Sequence, residues 1–170
     1  MPDSLKRIAT EITSCTNCSL YKNACNGVPG DGSPNARVFF IGQAPGAQED
    51  AIGRPFVGRA GQYLVSMLES IGLTREEVFI TSTVKHFQPK NRAPTALEIT
   101  ACRPYLVRQL ELVKPSVVVL LGKTAQSLIG HLILSGKTVL VTVHPSAAMR
   151  FPLMAKRMNA DFAKLKKLIR

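Results

Sequence analysis

The sequence predicts an α/β fold in which a parallel sheet carries helices on both faces. Four short runs rich in β-branched residues, at 38–41, 78–84, 116–121 and 138–143, alternate along the chain with stretches of helical periodicity. The third run, SVVVLL, is apolar without a break, as a strand buried on both faces must be. The first and third runs stop at Gly42 and Gly122, and the loops at such strand ends are where open α/β sheets bind ligands.

Residues 4–14 place Leu5, Ile8 and Ile12 at helical spacing, and this short helix ends at Cys15-Thr-Asn-Cys18. A C-x-x-C at a helix end turns two thiolates to one side, which suits a tetrahedral metal or the corner of a cluster. A redox dithiol has the same spacing but wants a thioredoxin-like setting, and none is present. Cys25 follows, and residues 27–34 form a turn-rich connector.

The strand at 38–41 delivers the loop GQAPGAQEDAIGRPFVGRAG, residues 42–61. Its glycines permit close approach of backbone, and it carries one amide (Gln43), two carboxylates (Glu49, Asp50) and one aromatic (Phe56). That set suits a flat polar ligand stacked on Phe56 and held by backbone amides and Gln43. The same composition also fits an ordinary strand-to-helix loop with Phe56 in the core. A core-facing helix over 60–71 follows, with Leu64, Met67, Leu68 and Ile71 at i, i+3, i+4 and i+7, stopped by Gly72.

The second strand runs from Val78 through Val84 into Lys85-His86-Phe87. Thr95 and Glu98 make a capping box for the helix at 96–113, in which Pro104 is either a kink or the first turn of a second helix. After the third strand, Gly122-Lys-Thr opens a helix; a P-loop is excluded because its upstream glycine would fall at Val117. The fourth strand stops at His144-Pro-Ser-Ala-Ala-Met-Arg150. A basic helix over about 153–169 is expected to contribute Leu153, Met158, Phe162, Leu165 and Leu168 to the core. In a parallel sheet the C-terminal strand ends share one edge, so Gln43, Ser82, Lys123 and His144 are expected around one crevice.

At 170 residues the chain suits a single domain with a real core. It holds no apolar run of membrane-spanning length and its start has no signal-peptide core, so a cytoplasmic monomer without a membrane partner is expected, with its four cysteines reduced, metal-bound or catalytic. Charge is unevenly placed: residues 1–84 hold 7 basic and 8 acidic side chains, whereas residues 85–170 hold 15 and 3. A basic half on one domain is what a phosphate backbone selects, whether DNA, RNA or an anionic membrane surface.

Four motifs in order, C-x-x-C near the start, G-x-A-P-G-x-x-E-D, G-R-P-F-V-G-x-A-G and V-H-P-S-x-x-x-R, resemble the iron-sulfur uracil-DNA glycosylases, family 4. The segments CTNCSLYKNA and VKHF are similar to the X-type subgroup, whose members form a covalent adduct with DNA. The resemblance implies a three-layer α/β/α sandwich with a four-stranded parallel central sheet, a [4Fe-4S] cluster, and hydrolysis of the N-glycosidic bond of deoxyuridine flipped out of DNA, single- or double-stranded. Carried onto this chain, Phe56 would stack on the base, and Gly42, Ala44 and Gly46 would offer backbone to its carbonyl edge. His144 would donate to the uracil O2 as charge builds on the leaving base. Ser146 and the loop to Arg150 would line or enter the minor groove, Met149 or Arg150 serving as wedge. The cluster ligands would be Cys15, Cys18, His86 and Cys102, with Cys25 as a competing fourth ligand and structural zinc as a competing metal.

Three departures qualify the resemblance. Gln43 stands where the family keeps Glu, and an amide orients water but cannot take its proton, which leaves Glu49 or Asp50 to assist. Ser82 stands where the family keeps the Asn that reads the uracil edge. The subgroup's long histidine-bearing loop is reduced to residues 87–94 without a histidine, so ordinary turnover is expected rather than a covalent adduct, with Lys90 and Arg92 binding phosphate. The departures leave two other readings open: a non-catalytic binder of damaged DNA, and a glycosylase for another deaminated or mismatched base.

Overall fold

The computed structural model describes residues 2–128 and 134–170. Its sheet has the strand order β1-β3-β2-β4-β5, where β1 is Asp31–Gly32, β2 Val38–Gly42, β3 Phe79–Ser82, β4 Val117–Leu121 and β5 Thr138–Thr142. Strands β2 to β5 are parallel, with Phe40 opposite both Ile80 and Val119, and Val119 opposite Leu140. The expected four-stranded parallel sheet is therefore present, with an added edge. The two-residue β1 pairs antiparallel with β3, Gly32 opposite Phe79. So short a strand has no periodicity to announce it. Only glycine fits there, because Gly32 has φ +129 and a Cβ would sit 1.8 Å from the Val78 carbonyl oxygen.

Seven α-helices flank the sheet among the described residues: α1 Leu5–Thr13, α2 Ala47–Ile52, α3 Arg59–Ser70, α4 Ala96–Val113, α5 Gly122–Gln126, α6 Pro145–Arg150 and α7 Pro152–Leu168. Alternation along the central strands splits the core into two layers. Val38, Phe40, Val117, Val119 and Leu121 face α3 and α7, through Leu64, Leu68, Met158, Phe162 and Leu165. Phe39, Ile41, Val118 and Leu120 face α4 and α5, through Leu106, Leu110 and Ala125. A third small cluster, Ile8, Ile12, Cys15 and Tyr105, fixes α1 to α4.

Helix α4 is one uninterrupted helix through Pro104, started by the Thr95–Glu98 capping box. Two expectations for α7 need correction: Leu153 and Leu168 are exposed rather than in the core. At 100° per residue Leu153 lies about 140° around the helix from Met158, off the face that Met158, Phe162 and Leu165 define. The third strand in sequence order from the start, β3, ends at Ser82 rather than at Val84. Its continuation is held to the loop after β2 by Thr83 and Val84, whose backbone N–H groups donate to the carbonyls of Gly42 and Gln43.

The two central strands, β2 and β4, send the chain to opposite faces, to α3 and to α5. A crevice opens at their carboxyl ends for that reason. No helix among the described residues is long and apolar enough to cross a membrane.

Candidate functional site

A cavity of about 510 Å³ occupies that crevice. Gln43, Ala44, Gly46 and Glu49 line it from the loop after β2 and the start of α2, Phe56 and Ala60 from the next turn and α3, Ser82 from β3, and Gly122 and Lys123 from the end of β4. His144, Ser146 and Arg150 complete it from α6, and Gln88 and Asn91 from the loop after β3. Of the residues expected at the site, Gly42 lies beneath this lining: a Cβ there would sit 2.7 Å from Phe56 Cζ, so the missing side chain is what lets the ring lie on the strand end.

Phe56 is 8% exposed and is held in the left-handed region, φ 52, a conformation that costs a non-glycine residue about 1 kcal/mol or more. Several contacts hold it there. Arg75 donates to the carbonyls of Pro55 and Phe56, the latter at 2.8 Å. Glu49 Oε1 accepts from the amides of Val57 (2.9 Å) and Gly58 (2.8 Å). Gly61 makes room for the Phe56 carbonyl. The Phe56 ring faces His144 at 5.8 Å between centroids, tilted 32°.

His144 caps α6. Its Nδ1 accepts from the Ser146 N–H at 3.2 Å and lies 2.7 Å from Ser146 Oγ. An acceptor Nδ1 means the proton sits on Nε2, so the ring is a neutral donor. Burial pushes its pKa below the ordinary imidazole value, against a smaller opposing pull from the Glu49 carboxylate. Gln43 is fixed from the other side: the Thr124 hydroxyl donates to its Oε1 at 2.8 Å, leaving the NH2 as the group it has free.

Other expected site residues lie elsewhere. Asp50 is buried with its carboxylate accepting from the amides of Cys25 (2.9 and 3.0 Å) and Asn26 (3.1 Å), outside the cavity lining. It is a brace between α2 and the N-terminal segment, which corrects its expected part in water activation. Arg92 is committed to the buried Glu98 through two nitrogens, at 2.9 and 2.6 Å, and the pair holds the Glu98 carboxyl down at about 2. Arg92 is therefore an ion-paired rather than a free cation, with its side chain 42% exposed. Lys90 and Met149 are exposed, outside the lining.

The cysteines separate into two groups. Cys15, Cys18 and Cys102 lie within electrostatic reach of one another; Cys102 is pushed up to about 11 and Cys18 upward, in both by burial first. His86 is buried, shares a smaller cavity of about 140 Å³ with Cys15 and Cys25, and leaves Nδ1 without any partner among the described residues. Cys25 is exposed. Among the described residues no three His, Cys, Asp or Glu side chains are close enough to hold a single metal ion.

Two residues carry weight that sequence reasoning missed. Lys85, counted with the basic half, is fully buried and donates to Thr81 Oγ1 (2.6 Å), Ser82 O (2.9 Å) and Gln109 Oε1 (3.0 Å), while burial pushes its ammonium down to about 7. Gln88, passed over as loop, is also buried and faces the cavity. A lysine beside a strand end and a glutamine in a proline-rich turn give no local signal of burial.

Comparison with known proteins adds an independent line. A family model described as Uracil DNA glycosylase superfamily matches residues 29–168. The chain is 41% identical over 187 residues to the Type-4 uracil-DNA glycosylase of Sulfurisphaera tokodaii, covering 98% of this chain and 85% of that one. It is 41% identical over 186 residues to the Type-4 uracil-DNA glycosylase of Archaeoglobus fulgidus, at 98% and 94% coverage. It is 41% identical over 163 residues to that of Thermotoga maritima, at 87% and 85%.

Proposed function

The chain belongs to the uracil DNA glycosylase superfamily, and from that premise we propose that it is a monofunctional uracil-DNA glycosylase that starts base-excision repair. The observation that carries the proposal is the cavity in which Phe56 and the neutral His144 face each other at the carboxyl ends of β2 and β4. A base in duplex DNA cannot be reached in place, so the nucleotide must be extruded into this cavity at a cost of a few kcal/mol.

In the reaction the bond between the sugar C1′ and the base N1 breaks, its electron pair leaves with the base, and water adds to C1′ with loss of a proton. Phe56 stacks on the base, and His144 Nε2–H donates to its O2 as negative charge collects there. Such a preorganised donor stabilises the leaving anion without having to give up its proton. Gln43 offers an amide donor and no base. With Asp50 engaged elsewhere, Glu49 is the carboxylate left on the lining to orient water, one of its oxygens already fixed by two amides. Lys123 and Arg150 on the rim, and Lys90 beyond it, hold the phosphate backbone.

The proposal is tested by incubating the protein with single- and double-stranded oligonucleotides containing one uracil, then cleaving abasic sites with alkali. Scission at the uracil is expected; its absence at stoichiometric enzyme would sink the proposal. The pH profile is a further check on His144. Since burial lowers its folded pKa, the rate should stay level from about pH 8 down through the free imidazole value near 6.5 and fall only below it. Protonation there would set Nδ1–H against the Ser146 N–H. Stability should decline in the same acidic window, because the unfolded imidazole takes up its proton first. Single-turnover rates and denaturant midpoints between pH 5 and 8 measure both.

A [4Fe-4S] cluster fits the remaining donors. Cys15, Cys18, Cys102 and His86 would hold it, and His86 offers the buried unpaired nitrogen that such a ligand requires. Structural zinc on the same three cysteines and one histidine is the competing assignment. When bound, the cluster would supply a redox-capable cross-link between the N-terminal segment, the loop after β3 and α4. The purified protein should be brown, with iron and acid-labile sulfide, and His86→Ala should lower the iron content. A colourless, zinc-containing protein would reverse the assignment.

A further inference from the structure

We propose that Gln88 is the residue that reads the N3–H of the flipped base, taking the place of the side chain that Ser82 is too short to supply; this rests on the uracil-DNA glycosylase reading of the same cavity. Gln88 is only 1% exposed, yet it lines the cavity. Its Nε2 donates to the His86 carbonyl at 3.0 Å. A carbonyl can only accept, so that contact fixes which end of the amide is which. Oε1 must then be the other end, and no group among the described residues donates to it. An amide oxygen that no protein group donates to, on a residue lining the ligand cavity, is an acceptor left for the ligand.

The rest of the polar lining shows why this acceptor matters. Uracil presents two carbonyls and one N–H along its pairing edge, so it needs donors for the oxygens and one acceptor for the nitrogen. His144 Nε2–H and the Gln43 NH2 are donors, because Ser146 and Thr124 have fixed their opposite ends. Glu49, another acceptor on the lining, already serves Val57 and Gly58 through Oε1. Ser82 has a single hydroxyl that can turn either way. Asn91, also on the lining, has no side-chain contact among the described residues to fix its amide, so the oriented, uncharged acceptor of these side chains is Gln88.

Orientation also gives discrimination. Cytosine carries a lone pair at N3 where uracil carries a proton, so it would meet Gln88 acceptor against acceptor. An amide free to flip would accept either base; one tied to the His86 carbonyl does not. The tie is rigid, because the following turn closes on the Gln88 carbonyl through the Asn91 N–H at 3.0 Å, and Arg92 anchors that turn to Glu98 on α4.

The test compares wild-type protein with Gln88→Ala in single-turnover excision from DNA containing either deoxyuridine or its N3-methyl derivative, which lacks the proton and adds bulk at that atom. Wild type is expected to excise uracil and to discriminate strongly against the methylated base. Gln88→Ala should excise uracil about tenfold to a hundredfold more slowly, the cost of one lost hydrogen bond to a buried group. It should also lose discrimination by a similar factor, because the space for the methyl has opened. An unchanged rate on uracil overturns the assignment. So does an equal loss on both substrates with the ratio kept, since that marks a merely structural glutamine. A wild-type protein inactive on uracil would instead remove the glycosylase reading, and this inference with it.

Discussion

Replacing His144 with alanine is expected to lower the single-turnover rate of uracil excision by about 10²- to 10³-fold while leaving affinity for uracil-free DNA unchanged. That range is what loss of one preorganised donor to a developing anion costs in other enzymes, about 2.7–4 kcal/mol. The imidazole is aimed by Ser146, whose N–H holds Nδ1, and is kept neutral by burial. Its backbone is set by Gly122, which has φ +84 and whose Cβ would lie 3.1 Å from His144 Cβ. His144→Asn, which retains a short N–H donor, should recover part of the rate, and an alanine variant with undiminished activity would remove His144 from the chemistry.

Gly61→Ala is the substitution expected to harm the fold most directly at the site. The added Cβ would fall 1.8 Å from the Phe56 carbonyl oxygen and 2.7 Å from its Cα, and both are backbone atoms that cannot turn aside. Either α3 shifts or the Phe56 turn lets go, and the turn is already strained at φ 52. Overpacking of this kind costs about 1–3 kcal/mol, occasionally more, and the absence of any flexible atom in the clash puts this variant at the upper end. Urea titration should show a lower midpoint at an unchanged slope, and uracil excision should fall with the loss of the stack. An alanine variant with wild-type stability and activity would show that Phe56 is not held where the structure holds it.

The sheet, the order of its central elements and the crevice were legible because their signals are local. Uninterrupted apolar runs mark β2 and β4, and Gly42 and Gly122 mark their exits. What the sequence hid depends on tertiary partners. Asp50 and Glu49 are neighbours in one acidic pair, yet only the fold shows that one braces Cys25 and Asn26 while the other faces the cavity. Arg92 reads as a free cation until Glu98 arrives from α4, and Lys85 reads as surface charge until its ammonium is seen under the end of β3. Helices α2 and α6 have six residues each, fewer than two turns, so no apolar stripe could reveal them. Gln88 could have been suspected only by asking what replaces the lost reach of Ser82.

The strand order has a practical corollary for anyone wishing to watch this protein work. The candidate site gathers at the carboxyl ends of the strands, so the helix-to-strand connection at Gly72, which leads from α3 to the amino end of β3, lies at the far pole. That joint has φ +84 and nothing within 4 Å of where a Cβ would be. The left-handed backbone reserves that position for glycine, so a fluorophore or affinity handle grafted at the exposed Glu76 beside it would report on tumbling and capture away from the proposed nucleic-acid groove.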